Sequence, residues 1–122
     1  MPKIMVVDDE PDLVRLVQFR LEREGWEVIT ATDGLSALGK LLEERPDLIF
    51  LDIMMPGMDG FEVLEQIRTK RGIHKTPVVM LTAKGTTTDL EKARALYVQH
   101  YIIKPFDPDK LVATAKKILR LP

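Results

Sequence analysis

Short apolar runs recur along the chain, separated by longer stretches in which apolar residues return every three or four positions. The runs are Ile4 to Val7, Val28 to Ile29 with Trp26 leading, Leu48 to Leu51, Val78 to Leu81, and Tyr101 to Ile103. Between them the helical spacing is carried by Leu13, Val17 and Leu21; Leu35, Leu38 and Leu42; Phe61, Leu64 and Ile67; Leu90, Ala93 and Leu96; and Leu111, Ala115 and Ile118. Runs that are apolar at every position belong to strands covered on both faces, whereas the returning residues make one apolar stripe on a helix. The pattern predicts five strands alternating with five helices. Strands covered on both faces are parallel and joined by right-handed helical crossovers, so the fold class is an α/β three-layer sandwich.

The element boundaries carry matching chemistry. Pro11 and Pro108 suit first helical positions, and Asp107 is placed to cap the helix that Pro108 opens. Asp59 with Glu62, and Thr88 with Glu91, have the spacing of capping boxes, while Gly25 and Gly72 follow helices as C-caps. "RTKRG", Arg68 to Gly72, reads as a solvated helix end favoured by the dipole.

Composition narrows the class. At 122 residues, with no repeat, linker or low-complexity segment, one domain over residues 1–122 is expected. Cysteine is absent, which excludes disulfides, thiolate metal sites and cysteine nucleophiles and suits a reducing compartment. The N-terminal apolar stretch is too short for a signal h-region or a membrane span, so a cytoplasmic location with no membrane partner is expected. Net charge is -1, with 18 basic residues balanced by 19 acids along the chain, and direct nucleic-acid binding has no electrostatic footprint.

The functional crevice of an open parallel sheet lies outside the carboxyl ends of its strands. There the first run ends in Asp8 and Asp9, the third in Asp52, the fourth in Thr82 and Ala83, and the fifth in Lys104 and Pro105; the second delivers nothing assignable. Like-charge carboxylates about 4 Å apart repel by roughly 4 kcal/mol at an effective dielectric of ~20. Positive charge must therefore sit among them. Lys104 supplies one charge, and all-oxygen ligation suits Mg²⁺. A metal-bound acid, a lysine and a small hydroxyl are the parts phosphoryl transfer needs, with a carboxylate able to attack and form an aspartyl phosphate. Asp52, in the middle of the other contributors, is the expected nucleophile, and Asp8 with Asp9 the metal-binding pair. Gly57 and Ala83 are small and put no bulk beside an incoming phosphoryl group. Met54, Met55 and Met58 read as loop packing and core, and His74 and His100 as surface residues.

These residues resemble the receiver domain of two-component response regulators, including single-domain chemotaxis and sporulation-relay members. The resemblance rests on "VVDDEP", "LIFLDIMMPGMDGFEVL", "PVVMLTA" and "YIIKPF", in order and across essentially the whole chain. It implies a flavodoxin-like, doubly wound sheet of order 2-1-3-4-5. It implies that Asp52 is a phosphoacceptor taking its phosphoryl group from a phosphohistidine of a sensor histidine kinase or histidine phosphotransfer protein. Asp9, Asp52 and the backbone carbonyl of Met54 resemble direct Mg²⁺ ligands, with Asp8 acting through water. Thr82 and Lys104 resemble the switch hydroxyl and the phosphate-binding lysine. Tyr101 resembles the aromatic that turns inward when Thr82 moves, changing the face of the fourth helix, fifth strand and fifth helix toward a downstream effector. The Lys104–Pro105 bond is expected to be cis, as in the family. Such a domain is a signalling phosphoacceptor rather than an enzyme with a separate substrate; it catalyses its own phosphotransfer and slow autodephosphorylation, as a monomer or weak phosphorylation-dependent dimer.

One stretch departs from the family. Receivers commonly carry a Gly-Ala pair and then acids where this chain has Tyr97, Val98, Gln99 and His100. A bulky Tyr97 does not easily take a left-handed cap, so the fourth helix is expected to extend or its exit to be re-routed. The salt-bridged dimer of the transcription-factor type also loses the usual partners of Lys116, Lys117 and Arg120. Two rival functions fit the fold less well. An aspartate-nucleophile phosphatase needs a second acid where Met54 stands, and a flavin binder needs a Ser, Thr and Gly-rich first loop where Asp8, Asp9 and Glu10 would repel a phosphate. A receiver that is never phosphorylated is disfavoured by the complete residue set.

Overall fold

The computed structural model describes residues 1–83, 85–98 and 100–122. The apolar runs become strands β1 (Lys3–Val7), β2 (Glu27–Ala31), β3 (Leu48–Asp52), β4 (Val78–Thr82) and β5 (His100–Ile103). They alternate with helices α1 (Pro11–Glu22), α2 (Gly34–Glu44), α3 (Gly60–Thr69), α4 (Thr87–Ala95) and α5 (Pro108–Leu119). All the pairings are parallel and the sheet order is β2-β1-β3-β4-β5, the flavodoxin-like, doubly wound arrangement.

β3 shows why the strands are apolar throughout. Ile49 and Leu51 join Met5, Val7, Val78 and Met80 on the face covered by α2, α3 and α4, while Leu48 and Phe50 join Ile4, Val6, Val79 and Leu81 on the face covered by α1 and α5. Each fully buried side chain of this kind contributes about 1.5–3 kcal/mol. A polar residue on either face would sit in core. Within β3 and β4 the only polar residues are the last ones, Asp52 and Thr82, and both remain buried.

The helix ends follow local chemistry. Pro11 and Pro108 occupy first turns, and Asp107 accepts from Asp109 N at 2.9 Å. Asp59 and Glu62 make both halves of a capping box. Asp33, after the unassigned second strand, caps α2 by accepting from Ser36 N. Gly25 and Gly72 take positive φ beyond the cap residues Arg23 and Lys70 rather than serving as the caps themselves.

The structure differs from the sequence reading in four further places. In α2 the buried residues are Gly34, Ala37 and Leu41, while Leu35 is 72% exposed and Leu42 46% exposed, so the helix is turned by about one residue. The cause is close approach: a Cβ on Gly34 would stand 2.9 Å from Met58 and Val63, and Gly34, Ala37 and Leu41 rather than Leu35 and Leu42 meet the neighbouring elements. At α4 the cap is Thr86, which accepts from Asp89 N at 3.1 Å, and Thr88 lies inside the first turn.

The third difference is the exit of α4. Tyr97 takes φ 65, the left-handed cap conformation expected to be closed to it. Tyr97 N donates to Arg94 O at 3.0 Å and Val98 N to Ala93 O at 2.9 Å, the bond pair of a Schellman motif. Burial of Val98 beyond the turn offsets the steric cost. Of the four departing residues, Gln99 lies outside the described residues. Fourth, Arg68 is not a solvated helix end: its half-buried guanidinium donates to Leu96 O, His74 O and Thr76 O.

Candidate functional site

The strand ends converge as the topology requires, and each contributor is held by its backbone. Asp8 N donates to Ala31 O at 3.2 Å, and Asp8 Oδ1 accepts Glu10 N at 2.9 Å, folding the loop after β1 back on itself. Ile53 N donates to Leu81 O, and Asp52 Oδ1 accepts Met54 N at 3.3 Å. Lys104 N donates to Thr82 O at 2.7 Å, so the lysine and the threonine are tied across the ends of β4 and β5. The Lys104–Pro105 peptide is cis.

Lys104 gathers the acids. Its Nζ lies 2.6 Å from Asp8 Oδ2, 3.4 Å from Asp52 Oδ2 and 3.3 Å from Glu10 Oε1. Asp8, Asp52 and Thr82 are each almost wholly removed from water. Burial, reinforced by the Asp8 charge, pushes the Asp52 carboxyl up to about 7; Lys104 pulls the other way, and a hydrogen bond with Asp9 adds to the rise. For Lys104, burial opposes the ammonium, yet the hydrogen bond to Asp8 and the charges of Asp52 and Asp8 together hold its pKa above the ordinary lysine value. One lysine therefore does not offset the burial and the neighbouring charge, and Asp52 holds a proton more tightly than an ordinary carboxylate.

That deficit fits a divalent cation. Ligand oxygens of Asp8, Asp9 and Glu10 all lie within 4.8 Å of one another. Asp8 Oδ2 has Lys104 Nζ on one side, and among the described residues no other donor reaches it, so a buried carboxylate oxygen keeps lone-pair capacity. An oxygen-only donor set with water at one side suits Mg²⁺.

The remaining residues take varied places. Met54 turns a 72%-exposed side chain outward while its backbone stays against Asp52, and Met55 is buried. Ala83 is exposed and, with Thr82, Met54 and Asp89, lines a recess of about 230 Å³. A Cβ on Gly57 would meet no protein atom within 4 Å, and its φ of +77 gives the turn its own reason for glycine. The Tyr101 ring packs against the core on the α4 side and its hydroxyl donates to Leu90 O at 2.9 Å; burial raises its pKa.

Two residues escaped the sequence reading. Glu10 reaches Lys104, a contact hinted at only by the third acid of "DDE". Gly60 opens α3 against the acceptor strand: a Cβ would stand 2.2 Å from Asp52 O and 2.8 Å from Ile53 Cα. Its position directly after the Asp59 cap was the available signal.

Comparison with known proteins agrees with this geometry. The model of the response regulator receiver domain matches residues 4–116. The chain is 48% identical over 118 residues to the alkaline phosphatase synthesis transcriptional regulatory protein PhoP of Bacillus subtilis, and 46% identical over 118 residues to the transcriptional regulatory protein ResD of the same organism. Each alignment covers 97% of this chain and 48% of the relative, so the chain spans about half the length of the curated relatives it matches. Among solved structures, the chemotaxis protein CheY4 of Vibrio cholerae superposes with a TM-score of 0.92 at 34% identity, covering 97% of this chain and 98% of that one. The N-terminal domain of a response regulator receiver protein from Methanoculleus marisnigri gives 0.79 at 39% identity, covering 100% and 99%.

Proposed function

The chain belongs to the response regulator receiver domain family of two-component systems, and from that premise we propose that Asp52 is its phosphoacceptor, loaded from a phosphohistidine of a sensor kinase or phosphotransfer protein. The observation that carries this reading is one buried carboxylate, Asp52, lying 3.4 Å from Lys104 at the rim where the loop after β1 also delivers Asp8 and Asp9.

An oxygen of Asp52 attacks phosphorus, a P–O bond forms as the donor's P–N bond breaks, and the electron pair returns to the imidazole nitrogen. Asp9, Asp52 and the Met54 carbonyl would hold Mg²⁺, with Asp8 acting through water, and the ion supplies positive charge to the phosphoryl oxygens during transfer. Lys104 balances the other side of the charge. Thr82 offers a hydroxyl to a phosphoryl oxygen, and Ala83 leaves the approach open. Hydrolysis of the acyl phosphate by water returns the domain to its starting state.

The switch is a population shift. New contacts of the phosphoryl group to Lys104 and Thr82 compete with the present contacts of Lys104 to Asp8 and Glu10, and Lys104 N is bonded to Thr82 O. Because Tyr101 neighbours these ends on β5 and bonds α4, movement of Thr82 alters the face of α4, β5 and α5. That face would act on a downstream partner or effector domain. Its cellular setting is proposed to be the cytoplasm; among the described residues no helix is long and apolar enough to cross a membrane.

Intact-mass measurement after incubation with acetyl phosphate, with and without Mg²⁺, tests the reading. One added phosphoryl group that requires both Mg²⁺ and Asp52 is expected, with none on Asp52→Asn. An adduct that persists in Asp52→Asn would place the acceptor elsewhere.

A further inference from the structure

At the opposite end of the sheet from Asp52 lies a cleft of about 550 Å³ lined by Arg68, His74, Lys75, Thr76, Pro77 and Tyr97. Its size falls within the roughly 300–1,000 Å³ of small-molecule sites. Arg68 comes from the end of α3, residues 74–77 lead into β4, and Tyr97 terminates α4.

The charge of this cleft is unbalanced. Arg68 donates through Nε to Leu96 O at 2.8 Å and through Nη1 to Thr76 O at 2.7 Å and His74 O at 3.3 Å. These bonds hold the exit of α4 and engage two of the three guanidinium nitrogens, Nε and Nη1. Its Nη2 has no hydrogen-bond partner and the group has no carboxylate partner among the described residues. Burial lowers the Arg68 pKa with no acid to oppose it. A helix-end clamp alone accounts for the carbonyl bonds but not for Lys75 on the same cleft, which adds like charge without an acid in the lining.

Tyr97 is the second, independent oddity. It adopts the left-handed conformation that glycine takes freely, at a cost to any other residue, and it is 81% exposed, so burial of its own ring does not offset that cost. The turn displays a flat aromatic face beside three nitrogen-bearing side chains.

We propose that this cleft binds a small aromatic anion, a ring carrying a phosphate group, with the charge on Arg68 and Lys75 and the ring stacked on Tyr97. Ring stacking and a phosphate-directed guanidinium are the two contacts the residues offer, and each is weak alone. The site is distinct from the acceptor and does not depend on Asp52 chemistry.

The test titrates adenosine monophosphate, phenyl phosphate, adenosine and inorganic phosphate into the Asp52→Asn protein, following the NMR resonances of the Tyr97 ring and the Arg68 Nε–H. Saturable shifts at both residues are expected with the two aryl-bearing phosphates, and none at matched concentration with adenosine or inorganic phosphate. Preference for the nucleotide over phenyl phosphate would identify a base-reading site, and equal binding a general aryl phosphate site; either supports the proposal. Tyr97→Gly, which relaxes the turn and keeps the fold, is expected to weaken binding about tenfold. Lys75→Ala is expected to weaken it as well, and in the Asp52-containing protein both variants label like the parent. No saturable shift at Tyr97 with either aryl phosphate would overturn the proposal. So would inorganic phosphate binding as well as the nucleotide with Tyr97→Gly unaffected.

Discussion

Gly60 and Gly39 are both glycines in helices, and the surroundings give them opposite signs. On propensity alone alanine would gain about 1 kcal/mol at Gly39, inside α2, and less at Gly60, the first residue of α3. A Cβ on Gly39 meets nothing within 4 Å, so Gly39→Ala is expected to raise stability by roughly that amount. A Cβ on Gly60 would overlap Asp52 O at 2.2 Å, and the obstacle is backbone, which cannot rotate away. Overpacking of this kind costs about 1–3 kcal/mol, enough to reverse the propensity gain. The displaced atoms belong to the acceptor residue, so Gly60→Ala should both lower the urea midpoint and slow labelling of Asp52 by acetyl phosphate. A Gly60→Ala protein with parent stability and parent labelling would show that the close approach does not position the acceptor.

At the scale of elements, the turn ending α4 makes a stability prediction separate from any ligand. A bulky residue in the left-handed region costs about 1–2 kcal/mol, and Tyr97 sits there at φ 65. Tyr97→Gly removes that strain while leaving more freedom in the unfolded chain, which takes back part of the gain. A rise in melting temperature of about 4 °C is expected, read by thermal unfolding monitored by circular dichroism. An unchanged or lowered melting temperature would mean that the ring contributes contacts worth as much as the strain. The same turn shows where sequence reasoning stops. Strands such as β3 were legible because every position is core on one face or the other. The α4 exit was not, because it is decided by Val98 packing beneath the turn and Arg68 reaching Leu96 O from 28 positions away. In α2 the leucines outrank glycine and alanine on any hydrophobic count, yet close approach at Gly34 put the small residues inside. Asp8, Asp9, Asp52, Thr82 and Lys104 were legible as a group because parallel topology brings all strand ends to one rim. Glu10 was not, since its reach to Lys104 depends on how one loop folds.

At the scale of the whole molecule, the acceptor site opposes folding when no cation balances it. The Asp52 carboxyl has an ordinary value of 3.8 and is pushed up to about 7 in the fold, chiefly by burial and the Asp8 charge. A group that holds its proton more tightly when folded stabilises the fold fully below the unfolded value and loses that contribution as pH rises through the folded value. Metal-free protein should therefore lose stability between about pH 4 and pH 7 through this residue. Lys104, also raised, contributes no slope in this window, because it is charged in both states until well above it. Other carboxylates titrate near the acid end, so the decisive quantity is a difference. The urea midpoint of the parent in chelator should fall relative to that of Asp52→Asn, which has no proton to lose, as pH rises from about 5 to 8. Saturating Mg²⁺ binds the ionised form and should close that gap by mass action, restoring the parent at neutral pH while leaving Asp52→Asn less changed. Parallel pH profiles for the two proteins in chelator would show that Asp52 ionises at an ordinary value, and that the charge at the strand ends is already balanced by Lys104.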